Sequence, residues 1–386
     1  MIEEGNVDMT DTSQPERTKL FHLLKAAWPL PVDEFFPLTY PFSPTDHVFT
    51  DARVVVREDE PSSIIAFTLD SQNYREQLAN SRQSRSDAPL TELRHADGSH
   101  YLYEFDTETI KLWCKIFFAE QFDALRHMCG CAEQFVQSLS RCFKWDSRGG
   151  KSGSAFLKTR DDRFVVKQLS RTELDGFSKF APQYFTYLAE CQSALRPTAL
   201  TKIFGYFCIG FKNTHTGRSF KMDFMVMENL LYGRSVDRIF DLKGSTRHRF
   251  VQESGQPHEV LQDENLMQRA QSSPLLVREH SKRILRTALH NDSLFLTEMN
   301  VMDYSLIMAL DTSRNKMVIG IIDYLRTYTW DKRVESFVKE TAILGGGGKG
   351  EPTIITPRQY RMRFLTFLDR NILMTPDPWI QSGWVQ

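Results

Sequence analysis

The chain has 386 residues, of which 41% are hydrophobic and 25% are charged, as in ordinary globular proteins. Its formal net charge is −1, so no overall positive field draws it to nucleic acid or anionic membranes, and we expect no nucleic-acid partner. No apolar run approaches the roughly 20 residues of a membrane span, the N-terminus is unlike a signal peptide, and the six cysteines lack paired metal-binding spacing. These features predict a cytoplasmic protein with reduced thiols.

Residues 1–98 are predicted to form an extended or partly disordered extension and linker. Residues 80–98 in particular mix serine, arginine and aspartate around a proline, as linkers do. Folded structure is expected from near Ser99, where a strand begins. Apolar residues at three- and four-residue spacing then predict helices over 116–128 and 132–143.

A loop rich in glycine and serine separates Trp145 from a predicted hairpin with strands Phe156–Thr159 and Phe164–Gln168. The loop ends like a Walker A motif, but Trp145 stands where that motif requires glycine, so it is not a P-loop. A glycine-rich turn followed by a strand lysine, here Lys167, is how protein kinases cover the phosphates of ATP. A flexible turn with an exposed lysine is the alternative. The loop residues assigned to ATP binding are Gly150, Ser152, Gly153 and Ser154.

Ser170 and Glu173 have the spacing of a helix capping box, which predicts that a long helix begins there. Two strands follow, Ile203–Phe211 and Lys221–Met227, joined by a turn. Glu228 leaves the second strand, where we expect a hinge between two lobes, and it is assigned to ATP binding.

The segment Ile239–Arg249 concentrates basic side chains around a Gly-Ser pair. A loop of this kind can offer backbone N–H groups and cations to an anion. The sequence therefore predicts an anion-binding loop whose candidate cations are Lys243, Arg247 and Arg249. A solvated turn with surface charge is the alternative.

Two aspartates flank a predicted hairpin: Asp303 precedes its first strand, Tyr304–Leu310, and Asp323 follows its second, Met317–Ile322. Antiparallel pairing brings these ends together, so both carboxylates should face one cleft. Such a pair is costly unless it shares a metal or faces a cation. Phosphoryl transfer needs this arrangement, with one carboxylate on Mg²⁺ and one orienting the attacking hydroxyl. Two solvated strand ends are the alternative.

In this order the motifs resemble the signature set of the phosphatidylinositol phosphate kinases, over about residues 101–379. The resemblance implies an α+β, two-lobed fold, distantly related to protein kinases, with antiparallel sheets and flanking helices. It implies an ATP-binding N-lobe over 99–228 and a lipid-binding, catalytic C-lobe over 229–386. An activation loop is expected at about 324–357.

Position by position, the resemblance makes Lys167 the ATP lysine and Asp323 the metal ligand. Asp303 becomes the base or hydroxyl-orienting residue, and Glu173 the partner of Lys167. Lys243 takes a catalytic role and would contact phosphate of the nucleotide or lipid, as would Arg249. ATP and Mg²⁺ are the implied cofactors.

Several strings are similar to the branch of this family that acts on phosphatidylinositol 3-phosphate, among them Arg148–Gly153, Met227–Gly233 and Leu373–Asp377. That branch implies transfer of the ATP γ-phosphoryl group to the lipid's 5-hydroxyl, giving phosphatidylinositol 3,5-bisphosphate, at endosomal or vacuolar membranes. Phosphatidylinositol 4-phosphate as the substrate, or an inactive phosphoinositide-binding scaffold, are the alternatives. The implied partners are the lipid, a membrane surface touched by the activation loop, and regulatory scaffold proteins.

Overall fold

The computed structural model describes residues 42–85, Leu93, 99–145, 155–256, 259–325 and 356–376. These residues form eight helices and fifteen strands in four sheets. The helices are α1 (Ser62–Asp70), α2 (Gln72–Arg85), α3 (Ala119–Met128), α4 (Ala132–Leu139), α5 (Arg171–Ser193), α6 (Asp263–Ser272), α7 (Glu279–Glu298) and α8 (Pro357–Asn371). The strands are β1 (Asp46–His47), β2 (Val56–Arg57), β3 (Tyr101–Asp106), β4 (Ile110–Phe117), β5 (Cys142–Trp145), β6 (Phe156–Thr159), β7 (Phe164–Gln168), β8 (Ile203–Asn213), β9 (Ser219–Glu228), β10 (Arg238–Leu242), β11 (Val260–Leu261), β12 (Leu275–Arg278), β13 (Ser305–Asp311), β14 (Lys316–Ile322) and β15 (Ile372–Thr375).

The larger sheet has seven antiparallel strands in the order β3-β4-β8-β9-β7-β6-β5. Its β6–β7 hairpin has the predicted bounds, and α5 begins at the predicted capping box, in which Ser170 and Glu173 satisfy each other's backbone N–H groups. The hairpin places Lys167 next to Met225 of β9, in the interior of the sheet. Strand pairing therefore holds Lys167 within the sheet, where its side chain is buried.

The smaller sheet has the order β11-β10-β13-β14 and carries the aspartates. The β13–β14 hairpin pairs Ser305 with Ile322, so Asp303 and Asp323 flank the same open end, as predicted. Strand β10 runs antiparallel to β13 and ends at Leu242, opposite Leu306. Lys243, the next residue, therefore reaches the same edge of the sheet.

One continuous core joins both sheets and the helices around them. The mixture of helices with antiparallel sheets confirms the α+β class, whereas the relation to protein kinases and the lobe boundaries stay predictions. Folded structure does not wait for Ser99, because α1 and α2 precede it and every residue of α1 is buried. That expectation was wrong because α1 is buried on all sides, its serines and threonine included, and so lacks the one-sided apolar pattern of a surface helix.

Other boundaries also differ from the sequence analysis. Ile116 and Phe117 end strand β4 instead of starting a helix, and α4 stops at Leu139. The first half of the basic segment is strand β10, so its loop begins only at Lys243. Ile116 and Phe117 pair with β8, and β10 pairs with β13. These partners lie far along the chain, so the local sequence pattern does not reveal the pairing.

Candidate active site

Lys167 lies at the centre of the candidate active site. Its Nζ donates to Glu173 Oε1 and to Asp323 Oδ1, each at 3.1 Å. The lysine comes from β7, Glu173 from the first turn of α5, and Asp323 from the residue after β14. A single ammonium group thus ties the larger sheet, its neighbouring helix and the smaller sheet together.

The electrostatics of this group favour the charged forms. Burial lowers the pKa of Lys167, but the carboxylates of Asp323 and Glu173 outweigh burial and leave the pKa raised. Burial likewise raises the pKa of Glu173, and hydrogen bonds from Ser170 together with the Lys167 charge leave it lowered. Lys167 therefore keeps its positive charge although only 4% of its surface is exposed.

A small cleft opens beside Lys167 between the two sheets. Its apolar lining includes Ile203 of β8, Met225 and Met227 of β9, and Ile322 next to Asp323. The cleft is narrow, and it brings an apolar wall next to a buried cation and a carboxylate, the two kinds of surface that a ligand with a ring and phosphates would contact.

Asp303 is held by a second lysine. Lys243 Nζ donates to Asp303 Oδ1 at 2.7 Å and to the Asp303 backbone carbonyl at 2.9 Å. Asp303 and Asp323 both have left-handed backbone conformations, with φ of 67° and 58°. Residues other than glycine keep such conformations where the surrounding structure enforces them, and functional sites are where they cluster. Each aspartate is therefore paired with its own lysine at the same open end of the hairpin. The cleft beside Lys167 is lined by Asp323 and not by Asp303, so the expectation that both carboxylates face one cleft stays a prediction.

The backbone N–H groups of the basic loop are occupied by the chain itself. Asp263 Oδ1 accepts from the N–H groups of Gly244 at 2.7 Å, Lys243 at 3.0 Å and Ser245 at 3.2 Å. Asp263 is fully buried at the start of α6. These donors are thus taken, contrary to the expectation that they would face a substrate anion. The carboxylate instead fixes the backbone from which Lys243 projects.

Arg249 completes this internal arrangement. Its guanidinium donates to Asp263 Oδ2 at 2.9 Å and to Asp241 Oδ1 at 3.0 Å. Burial lowers the pKa of Arg249, but the two aspartates outweigh burial and leave it raised. Its predicted contact with substrate phosphate gains no support from this placement. Arg247, by contrast, is exposed on the same loop.

The remaining assigned residues stand apart. The Glu228 carboxylate accepts from the backbone N–H of Lys202 at 2.6 Å, and it lines a different cavity, together with Lys202 and Tyr232. This gives no support to nucleotide contact by that side chain. Four residues assigned to ATP binding lie outside the described residues, namely Gly150, Ser152, Gly153 and Ser154. Most of the expected activation loop, residues 326–355, also lies outside them.

The described residues contain no cluster of three or more His, Cys, Asp or Glu side chains able to hold a metal alone. Mg²⁺ does not need one, because it commonly binds through one or two carboxylates plus substrate phosphates and water. The Asp323 side chain, which is 45% exposed beside Lys167, fits that donor set. Across the same described ranges, no helix has the length and apolar content to cross a bilayer.

Sequence analysis did not identify Asp263 as part of the site. A signal was present, because an aspartate in the first turn of a helix is favoured there, and Gln262 and Asn265 form a capping box. Its contact with the Lys243 loop has no local signal, since about 20 residues separate the two.

Comparison with known proteins gives concordant matches. A family model described as Phosphatidylinositol-4-phosphate 5-Kinase matches residues 138–317 and 310–371. The chain is 40% identical over 463 residues to the 1-phosphatidylinositol 3-phosphate 5-kinase FAB1 of Saccharomyces cerevisiae, covering 96% of this chain and 20% of that protein. It is 44% identical over 306 residues to the 1-phosphatidylinositol 3-phosphate 5-kinase of Homo sapiens, covering 78% of this chain and 14% of that protein. The chain thus spans about a fifth or less of the length of these relatives.

Proposed function

This chain belongs to the phosphatidylinositol-4-phosphate 5-kinase family, and on that premise we propose that it transfers the γ-phosphoryl group of ATP to a phosphoinositide. The substrate we propose is phosphatidylinositol 3-phosphate, phosphorylated on its 5-hydroxyl. The names of the yeast and human relatives support this choice of lipid over phosphatidylinositol 4-phosphate. The product would be phosphatidylinositol 3,5-bisphosphate.

The single observation that carries the proposal is the meeting of Lys167 and Asp323. These residues lie 156 positions apart in sequence, on different sheets, and their charged atoms are 3.1 Å apart beside an apolar cleft. A lysine and a carboxylate at the mouth of such a cleft supply a phosphate contact and a metal ligand at once. A surface ion pair would need neither the cleft nor the buried lysine.

Each charged residue of the candidate site has a proposed role in phosphoryl transfer. Lys167, held by Glu173, would bind the α- and β-phosphates, and Asp323 would hold Mg²⁺. When bound, the metal supplies positive charge that offsets the phosphate oxygens. Asp303 would accept a hydrogen bond from the attacking hydroxyl and orient it, and Lys243, already on Asp303, would neutralise charge on the transferred group. Catalysis would then rest on positioning and electrostatics.

The ligand-free geometry is compatible with these roles. Asp303 and Asp323 each form an ion pair with a lysine, so the negative charge of both carboxylates is compensated before substrate binds. Both side chains are nearly half exposed, at 47% and 45%, and are open to a ligand entering from solvent. Peripheral contact with endosomal or vacuolar membranes through residues 324–357 remains part of the proposal.

The test is a kinase assay with labelled ATP, Mg²⁺ and vesicles that carry one monophosphorylated phosphoinositide at a time. We expect product from phosphatidylinositol 3-phosphate vesicles. Preference for phosphatidylinositol 4-phosphate would replace the proposed substrate. Nucleotide binding without product from any vesicle would favour an inactive scaffold instead.

The Asp303→Asn variant refines this test. We expect it to lose turnover by about a hundredfold or more while nucleotide affinity survives, because Asp303 would contact the lipid hydroxyl and not the nucleotide. Asp106→Asn is the control, since Asp106, the last residue of β3, forms an exposed pair with Lys111 of β4. Near-normal turnover by Asp303→Asn would remove the role given to this residue.

A further inference from the structure

A buried carboxylate on α7 holds the segment that joins α5 to β8. Asp292 is fully buried, and its Oδ1 accepts hydrogen bonds from the hydroxyl groups of Tyr187 at 2.6 Å and Thr198 at 2.8 Å. Its Oδ2 accepts from the backbone N–H of Ala199 at 2.6 Å. Three donors on one buried carboxylate fix the position of residues 198–202, which we call the joining segment and which lead into β8.

The joining segment is bonded on both sides of Asp323. The N–H of Ile321 donates to the carbonyl of Ala199 at 2.6 Å, and the N–H of Thr201 donates to the carbonyl of Ile321 at 3.0 Å. The hydroxyl of Tyr324 donates to the carbonyl of Thr201. Ile321 and Tyr324, which lie on either side of Asp323 in the sequence, are therefore attached to one short stretch of backbone.

Close packing restricts movement between the joining segment and β14. A Cβ atom added at Gly320 would stand 2.9 Å from Thr201 Oγ1 and 2.5 Å from Leu230 Cδ1, so a larger residue there would have to displace these side chains. Asp323 itself has φ of 58°, a conformation that needs support from its surroundings. The bonds from the joining segment to Ile321 and Tyr324 provide that support.

We infer that Asp292 is a positioning residue for Asp323: by anchoring the joining segment, it fixes the carboxylate that would hold Mg²⁺. The inference rests on the proposed function and adds to it a residue that touches neither nucleotide nor lipid. Residues that orient a metal ligand commonly contribute about tenfold or more to metal affinity. If Asp292 were only a satisfied core carboxylate, its loss would lower stability and leave metal affinity unchanged.

The experiment compares the full chain with its Asp292→Asn variant. An amide in place of the carboxylate presents its NH₂ group to at least one of the three donors, so the anchor is weakened with little change in volume. We expect the Kd for Mg²⁺, titrated by calorimetry in the presence of a saturating non-hydrolysable ATP analogue, to rise about tenfold. We also expect faster hydrogen exchange at the amides of Thr201 and Ile321 in metal-free protein.

Matched variants separate positioning from stability. Glu298→Gln makes the same chemical change at an exposed site on the same helix and should alter neither readout. Tyr187→Phe and Thr198→Val each remove one hydrogen bond and should give smaller shifts in both readouts; they decide the question if Asp292→Asn fails to fold. An unchanged Kd for Mg²⁺, or a changed Kd without faster exchange, would overturn the inference.

The two proposals fail in different ways. If the unaltered chain binds Mg²⁺ and nucleotide but phosphorylates no lipid, the proposed function falls and the comparison of Kd values still judges Asp292. If the unaltered chain binds no Mg²⁺ with the nucleotide analogue, both proposals fall. Normal lipid phosphorylation with unchanged Mg²⁺ affinity in Asp292→Asn would overturn the positioning role alone.

Discussion

Lys167 already has two anionic partners before any nucleotide arrives. Glu173 is tied to Ser170 through its other carboxylate oxygen and so stays in place. Asp323 has more surface open to solvent, 45% against 12% for Glu173. An arriving phosphate can therefore compete with Asp323 for the lysine while Glu173 continues to hold it. In this way the resting ion pair would release the metal ligand as the nucleotide binds.

Arg249 gives a prediction that separates a structural role from a substrate contact. Arg249→Met would leave the fully buried Asp263 without its cation, and breaking a buried pair in this way costs about 3–5 kcal/mol. We therefore expect the free energy of unfolding, measured by urea denaturation, to fall by about 3 kcal/mol. The matched control is Arg247→Met on the exposed part of the same loop, which should change stability little.

The contrary outcome is equally definite. If Arg249 serves mainly as a phosphate contact, Arg249→Met would raise KM for lipid or ATP and leave the unfolding curve in place. The structure favours the first outcome, because both donor groups described for Arg249 face carboxylates of this chain.

At the scale of elements, the loop after β10 is pressed against α8. Gly244 has φ of 73°, and a Cβ atom there would stand 2.7 Å from Phe364 Cα, a backbone atom of the helix. Helix α8 also contacts the residue before the β13–β14 hairpin, since the hydroxyl of Tyr360 donates to the carbonyl of Tyr304. The position of Lys243 therefore depends on how closely the loop and α8 approach.

Gly244→Ala tests this contact. Gly255→Ala is its control, because Gly255 has φ of 72° and nothing within 4 Å of an added Cβ. Both variants incur the penalty of about 1–2 kcal/mol for a side chain in the left-handed conformation, and only Gly244→Ala incurs the clash. We expect its melting temperature to fall clearly further than that of the control, with a parallel loss of turnover. Equal melting temperatures would mean that the loop does not need this approach.

The elements that sequence predicted well are those whose signals are local. The β6–β7 hairpin, the capping box at Ser170 and the pair of strands between Asp303 and Asp323 each have a signal contained within about twenty consecutive residues. Helices α1 and α6 were missed, because the first is buried all round and the second carries few apolar residues. Their stability comes from tertiary packing, which a local pattern does not encode.

At the scale of the whole molecule, the candidate site was predictable in part. Convergence of Asp303 with Asp323 follows from strand pairing, and a basic loop nearby follows from composition. The supporting carboxylates Asp263 and Asp292 do not, since each acts on backbone far along the chain. Their contacts form only in the assembled fold. There, the N–H groups of the basic loop, which the sequence left open to a ligand, donate to Asp263.

An ion-pair network joins the N-terminal helices to the larger sheet and gives a prediction about pH. Asp123 of α3 pairs with Arg82 of α2, and Arg126 donates to the carbonyl of Phe204 in β8 at 2.9 Å. Burial raises the pKa of Asp123, but His127, Arg126 and Arg82 outweigh burial and lower it to about 2. The stability contributed by a lowered carboxylate pKa is present above its ordinary value and is lost as pH falls towards the folded value.

We therefore expect Asp123→Asn to lower the free energy of unfolding by about 2 kcal/mol near pH 6, from a pKa difference of about 2 units. The difference should shrink as pH falls from about 4 towards 2.

His127 adds a second pH dependence, because its hydrogen bond with Asp123 raises the pKa of the imidazole. The stability that this contact contributes is present at pH values below the ordinary pKa of histidine and is lost as pH rises past the raised pKa. Urea denaturation at about pH 3, 6 and 9 measures how the difference in the free energy of unfolding changes with pH, with Asp106→Asn as the exposed control. A pH-independent difference would mean that the network contributes packing alone, and a biphasic curve would mean that α1 and α2 unfold separately from the sheet.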